Sequence, residues 1–301
     1  MKNQPRPPLE ARRFSLAGAL LFFALPLAAL ASPPVVDSLH PELPYLMEDP
    51  SDDEILANSA LPEALVPMGS QPRTRAENEA LGHALLAFHD RAKVDDVSAL
   101  ADFVRRHPQS RWRPALELNL GIVQLQTGYF TRALDAFQAA WEHSREETAG
   151  RARAVADRAL GEYALMLGRL GRTEKLEALV AATKDRVVVG PGRQLLDGAL
   201  QGLGAMRTDP GMSYRCGPFA VENVGWHLAP KKMAQVGEEK RIKSGRDGTS
   251  VAQLLKYQAQ LGLDLVAVRR PRGAELPLPA VVHWKAGHFA AIVKERGGAT
   301  R

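Results

Sequence analysis

Cys216 is the only cysteine among 301 residues, so the chain holds no second thiol for an internal disulfide or a thiolate zinc cluster. Packing, an intermolecular link or reactivity remain for it. Its setting points to reactivity. After Cys216-Gly217-Pro218, the residues Phe219, Ala220, Asn223, Val224 and His227 recur at helical spacing. Cys216 therefore falls at or just before a helix N-terminus, with Pro218 in the first turn. Unpaired N–H groups and the positive end of the helix dipole stabilise a thiolate there, and Arg215 would act the same way if its side chain turns inward. Downstream, His288 begins a strand directly after the turn Lys285-Ala286-Gly287, where an imidazole can project over a neighbouring element. A thiol on a helix and an imidazole on a later strand are the parts of nucleophilic acyl transfer.

The other histidines do not compete for that role. His227 lies eleven residues beyond Cys216, about 16 Å down the same helix axis, and His283 reads as a structural residue of the preceding strand. His40, His83, His89, His107 and His143 sit elsewhere; His83 and His89, six apart, do not stack as i, i+4 ligands would. Neither a metal site nor a cofactor is implied.

The elements that must position the pair are two helices, a turn between them and three strands. The turn Ser244-Gly245-Arg246-Asp247-Gly248 announces a second helix, capped by Thr249 or Ser250 and carrying Val251, Leu254, Leu255, Gln258 and Leu261. Beyond Gly262 the period becomes strand-like over 263–269, 278–284 and 288–294, with Pro277 and Pro279 at the entry of the middle segment.

Taken together, residues 209–294 resemble the bacteriocin-processing cysteine peptidases, peptidase family thirty-nine, which cleave double-glycine leaders. Three blocks carry the resemblance: Cys216-Gly217-Pro218-Phe219-Ala220; Gly248-Thr249-Ser250 leading into the second helix; and Leu278-Pro279-Ala280-Val281-Val282-His283-Trp284 with Gly287-His288-Phe289. The family's fold is papain-like, with helix-borne Cys before strand-borne His. Its nucleophile and base carry over to Cys216 and His288, and a peptide with small residues such as Gly-Gly before the cut is the implied substrate. Two positions depart from the family. Pro210 stands where it has an oxyanion-hole Gln, and Gln201 is too far upstream to substitute, which leaves the backbone N–H of Cys216 as donor. The Asp or Asn that orients the histidine would lie past Arg301, since Glu295 comes too soon. Gly297-Gly298 reads as a hairpin turn whose second strand is missing, so the peptidase domain, 207–301, is expected to be incomplete at its C-terminus.

Upstream, from Arg75 to about Met206, the apolar period is 3.6. Leu120, Gly121, Leu125, Gly128, Phe130, Ala133, Phe137 and Ala140 are similar in type and spacing to a tetratricopeptide unit. Gly121 and Ala133 allow two antiparallel helices to approach, Gly128 makes the turn and Phe137 fills the groove. A weaker unit runs through Leu165, Leu167, Leu170, Gly171-Arg172, Leu176 and Leu179. The expected fold class is thus an α-helical tetratricopeptide-like solenoid of six or seven helices over 74–206, followed by an α+β papain-like domain. The helices would form a protein-docking scaffold.

The N-terminus reads as an export signal over 1–31: Lys2, Arg6, Arg12 and Arg13 against Glu10, an uncharged run from Phe14 to Leu30, then Ala29-Leu30-Ala31. Export to the periplasm, the exterior or the cell surface follows, with no stable membrane span once the signal is cleaved. More than half of the net charge of +5 leaves with that segment. Residues 32–73 read as an acidic, proline-stiffened linker: between Ser32 and Ser70 there are eight carboxylates, seven prolines and no Lys or Arg. Leu43, Tyr45, Leu46 and Met47 within it would suit a pro-segment docked on the basic remainder. Lys and Arg form no stripe interleaved with aromatics, which argues against nucleic acid. The expected activity is cleavage of a peptide or protein substrate, after Gly-Gly or in cis within a larger RHS-type exported polypeptide. The alternative is a non-catalytic peptide-binding domain on a helical interaction scaffold.

Overall fold

The periodic stretch after Thr74 folds as a series of antiparallel helices. The computed structural model describes residues 49–58, 61–271, 273–296 and 299–300; the expected signal peptide and the first part of the acidic segment lie outside them. Among the described residues a short α1 (Asp52–Asn58) precedes α2 (Arg75–His89), α3 (Ser98–Arg106), α4 (Arg113–Gln126), α5 (Phe130–Ser144), α6 (Gly150–Arg169), α7 (Thr173–Ala182) and α8 (Gly190–Thr208). Thr74 caps α2 by accepting from the Glu77 N–H at 3.2 Å. Two helices are buried on nearly all sides, α4 over Pro114–Gln124 and α6 over much of Val155–Leu167, and the others pack around them.

The pairing of α4 with α5 follows the expected physics. A Cβ on Gly121 would come within 2.5 Å of the Phe137 ring, so only glycine lets that ring lie against the α4 backbone. The helices α4 and α6 end alike. Gly128 and Gly171 adopt φ of +88° and +65°, and the next residue's N–H returns to a carbonyl five positions back, Tyr129 to Gln124 at 2.7 Å and Arg172 to Leu167 at 2.9 Å.

Residues 51–58 and 61–68, within the expected linker, instead pack on these helices. Ile55 and Leu65 are fully buried and Val66 and Met68 nearly so. Prolines exclude a long helix but leave room for the short α1 and for an extended path, provided the backbone polar groups find partners. Asn119 supplies two of these, accepting from Glu63 N–H at 2.8 Å and donating to Glu63 C=O at 3.0 Å. Asn78 donates to the Pro50 carbonyl at 2.8 Å, and Asp52 pairs with Arg111. Carboxylates of this segment thus pair with arginines of the helical part, Asp52 with Arg111 in the turn before α4 and Glu63 with Arg158 of α6 at 3.4 Å, rather than solvating a tether.

The C-terminal part has its own small core of Ala220, Val221, Met233, Leu254, Tyr257, Leu261, Leu263 and Phe289. It is built from α9 (Pro210–Ser213), α10 (Cys216–Leu228), α11 (Pro230–Met233), α12 (Val251–Gln260), β1 (Ala280–Trp284) and β2 (His288–Ile292). β1 and β2 form an antiparallel hairpin in which Trp284 pairs with His288, His283 with Phe289 and Val281 with Ala291. Ser250 closes a capping box with Gln253 at the start of α12.

Two strand expectations are corrected. Residues 263–269 form no strand. Leu263 joins the core and the Leu265 N–H is held by the Gln258 side chain at 2.9 Å, but Val266 and Val268 stay 77% and 70% exposed. Alternation alone does not make a strand without a partner, and among the described residues no strand pairs with this stretch. The strand expected to be missing after Gly297-Gly298 is present as two residues: β3 (Glu295–Arg296) pairs with β4 (Ala299–Thr300). The described chain is therefore mostly helical with a small antiparallel sheet component, and no described helix is long and apolar enough to cross a membrane.

Candidate active site

Cys216 is the first residue of α10, with Arg215 as its N-cap. Phe219 N–H makes the first intrahelical bond, to Arg215 C=O at 2.9 Å. The N–H groups of Cys216 and Gly217 therefore have no partner within the helix, and Pro218 has none to offer. The thiol is half-buried at the edge of the C-terminal core. Its neighbour Gly217 sets how closely the helix approaches its surroundings: a Cβ there would come within 3.0 Å of Leu254 on α12 and 3.4 Å of Phe289 on β2. The start of α10 thus lies directly against the start of β2.

His288 opens β2 after a three-residue turn. Gly287 adopts φ of +72°, and its N–H donates to Trp284 C=O at 2.9 Å. Burial first, and then the charge of His283, hold the His288 imidazole below its ordinary range. At neutral pH that ring is uncharged and able to accept a proton.

The elements that carry the two expected site residues meet at Gly217 and Phe289, and the two residues themselves are not joined. Opposed residues of a hairpin share a face, so His288 lies on the side of Trp284. Phe289 lies on the other side, with His283 stacked on it at 4.2 Å between ring centroids and Gly217 against its edge. Among the described residues no hydrogen bond links Cys216 to His288 or His283, and no carboxylate bonds to either imidazole. Pro210 opens α9, where Asp209 caps by accepting from the Met212 N–H at 3.1 Å; Gln201 lies along the preceding helix α8. His227 sits in the last turn of α10.

Arg215 does turn inward, but toward a carboxylate. It is 3% exposed, donates to Glu222 Oε1 at 3.1 Å, and lays its guanidinium over the Phe219 ring at 4.6 Å. Tyr257 of α12 donates to the same oxygen at 2.6 Å. Burial, then the bond to Glu222, push the Tyr257 phenol well above its ordinary range and keep it a donor. Sequence reasoning missed Glu222 and Tyr257. The available signal was spacing: Arg215 and Glu222 stand two helical turns apart, and Glu222 falls on the apolar face between Val221 and Val224.

Compared with known proteins, the chain matches no family model, no curated protein and no solved structure.

Proposed function

We propose that residues 207–301 act as a cysteine peptidase-like domain on a tetratricopeptide-like helical scaffold in an exported protein. The observation that carries this reading is the contact of Gly217 with Phe289, which sets the neighbours of Cys216 and His288 side by side. In the proposed reaction His288 takes the Cys216 proton and the sulfur attacks a peptide carbonyl. The N–H groups at the start of α10 hold the oxyanion, the amine leaves with the proton from His288, and water hydrolyses the thioester. A peptide with Gly-Gly before the cut, in trans or within a longer RHS-type polypeptide, is the substrate class taken from the family resemblance. The test is alkylation of Cys216 by iodoacetamide across pH, with peptide cleavage in parallel. Thiolate reactivity well below the pH of a model thiol, suppressed in His288→Gln, and cleavage lost in Cys216→Ala support the reading. A model-thiol profile that His288→Gln leaves unchanged refutes it.

One observation favours a second reading, a non-catalytic peptide-binding domain. His288 shares its strand face with Trp284 rather than with Phe289, the residue that meets α10. Peptide binding by Cys216→Ala at wild-type affinity, with no cleavage by the parent chain, would establish this second reading.

A further inference from the structure

One turn of the helical array touches the chain leading into each of the two site residues. Leu170, Gly171 and Arg172 connect α6 to α7, which Thr173 opens. On one side, a Cβ on Gly171 would come within 2.8 Å of the Tyr214 ring, and the Thr173 hydroxyl hydrogen-bonds the Tyr214 hydroxyl. Tyr214 stands two residues before Cys216. On the other side, Arg172 Nη2 donates to the Ala286 carbonyl at 2.6 Å, and a Cβ on Gly287 would come within 3.1 Å of the same guanidinium. Ala286 is 4% exposed and belongs to the core of the helical part; His288 follows Gly287 directly. The turn after α4 supports the hairpin from a second point. Trp284, opposite His288, meets Phe130 edge-on at 4.5 Å and lies against Gly128.

We propose that the segment 171–173 is a brace that fixes the β1–β2 hairpin tip relative to the start of α10, with Arg172 the positioning residue for His288 and Thr173 for Cys216. The proposal rests on the peptidase-like reading of the site. It assigns the helical part a share in organising that site, beyond serving as a docking surface. A guanidinium held against the carbonyl two residues before the imidazole removes freedom where it matters, because a displacement of about 1 Å in a reacting group costs on the order of a hundredfold in rate.

The test uses the full chain with Arg172→Ala, Arg172→Lys and Thr173→Val, reading amide hydrogen exchange and the pH profile of Cys216 alkylation. Arg172→Ala is expected to speed exchange over 284–288 at least about tenfold while α6 and α10 keep their protection. It should also lose most of the His288-dependent part of the alkylation profile. Arg172→Lys, which can still donate to Ala286, should recover much of both, and Thr173→Val should speed exchange over 213–216. Unchanged exchange in Arg172→Ala overturns the brace. If His288→Gln has no effect on wild-type alkylation, the peptidase-like reading fails, and the exchange data still decide whether the brace exists.

Discussion

Replacing both charges of the Arg215–Glu222 pair should cost far less than replacing either one. Arg215 is 3% exposed and Glu222 8%, they meet at 3.1 Å, and Tyr257 donates to the same carboxylate oxygen. Taking such ions out of water is costly, and their attraction does little more than offset that cost. Arg215→Met keeps an apolar stem over Phe219 but leaves Glu222 buried with only a phenol donor, a loss of roughly 3–5 kcal/mol. Glu222→Met strands the guanidinium, whose Nε already lacks a protein partner, at a similar cost of about 3–5 kcal/mol. With both replaced and Tyr257→Phe added, so that no hydroxyl is orphaned, no buried charge remains. That triple variant should return to within about 1–2 kcal/mol of wild type, or exceed it. The assay is urea unfolding with separate probes for the helical and C-terminal parts, reading midpoint and slope in a full mutant cycle. Additive losses, with the triple variant losing the sum of its parts, would refute the buried-pair account. Arg215 would then be stabilising α10 through its contact with Phe219 alone.

Two further outcomes are expected. The His288 imidazole is held below its ordinary value near 6.5, so the unfolded chain binds more protons over that interval. Stability should fall as pH drops through about 6.5 and level off once the folded ring also protonates; thermal melts from pH 7.5 to 4.5 should show this component, absent in His288→Gln. Gly121→Ala should destabilise by about 1–3 kcal/mol through overpacking against Phe137, read as a lower urea midpoint. Adding Phe137→Leu should recover part of that loss.

Where local chemistry decides an element, the sequence was sufficient. Gly128 and Gly171 end their helices because each must adopt a left-handed conformation, and the pairing of Gly121 with Phe137 across α4 and α5 follows from side-chain volume. Of the two expected caps, Thr249 or Ser250, it is Ser250 that caps α12. What composition concealed was structure completed by distant partners. The segment 49–73 looks like a tether because its acids and prolines are local, whereas its cover is not. Asn78 and Asn119 come from α2 and α4 and Arg111 from the turn before α4, and no window of the segment contains them. Likewise, 263–269 has the period of a strand, but whether a strand forms depends on a distant partner, and none of the described strands pairs with it.

The site divides along the same line. Putting Cys216 at a helix start and His288 after a hairpin turn requires only the residues on either side of each. Which way His288 faces depends on one residue of loop length. A two-residue turn at Ala286-Gly287 would oppose Lys285 to His288 and put both histidines on the face that meets α10. The three-residue turn, with Gly287 left-handed, opposes Trp284 to His288 and sends the two imidazoles to opposite sides of the sheet. That choice is anchored by Arg172 on Ala286 and by Phe130 on Trp284, contacts from the helical part that the C-terminal segment does not encode. A hairpin whose tip is held by turns of the helical part should lose that hold when the C-terminal segment is excised, even if the segment keeps its fold. For this reason the helical part and the Cys–His pair have to be tested in one chain.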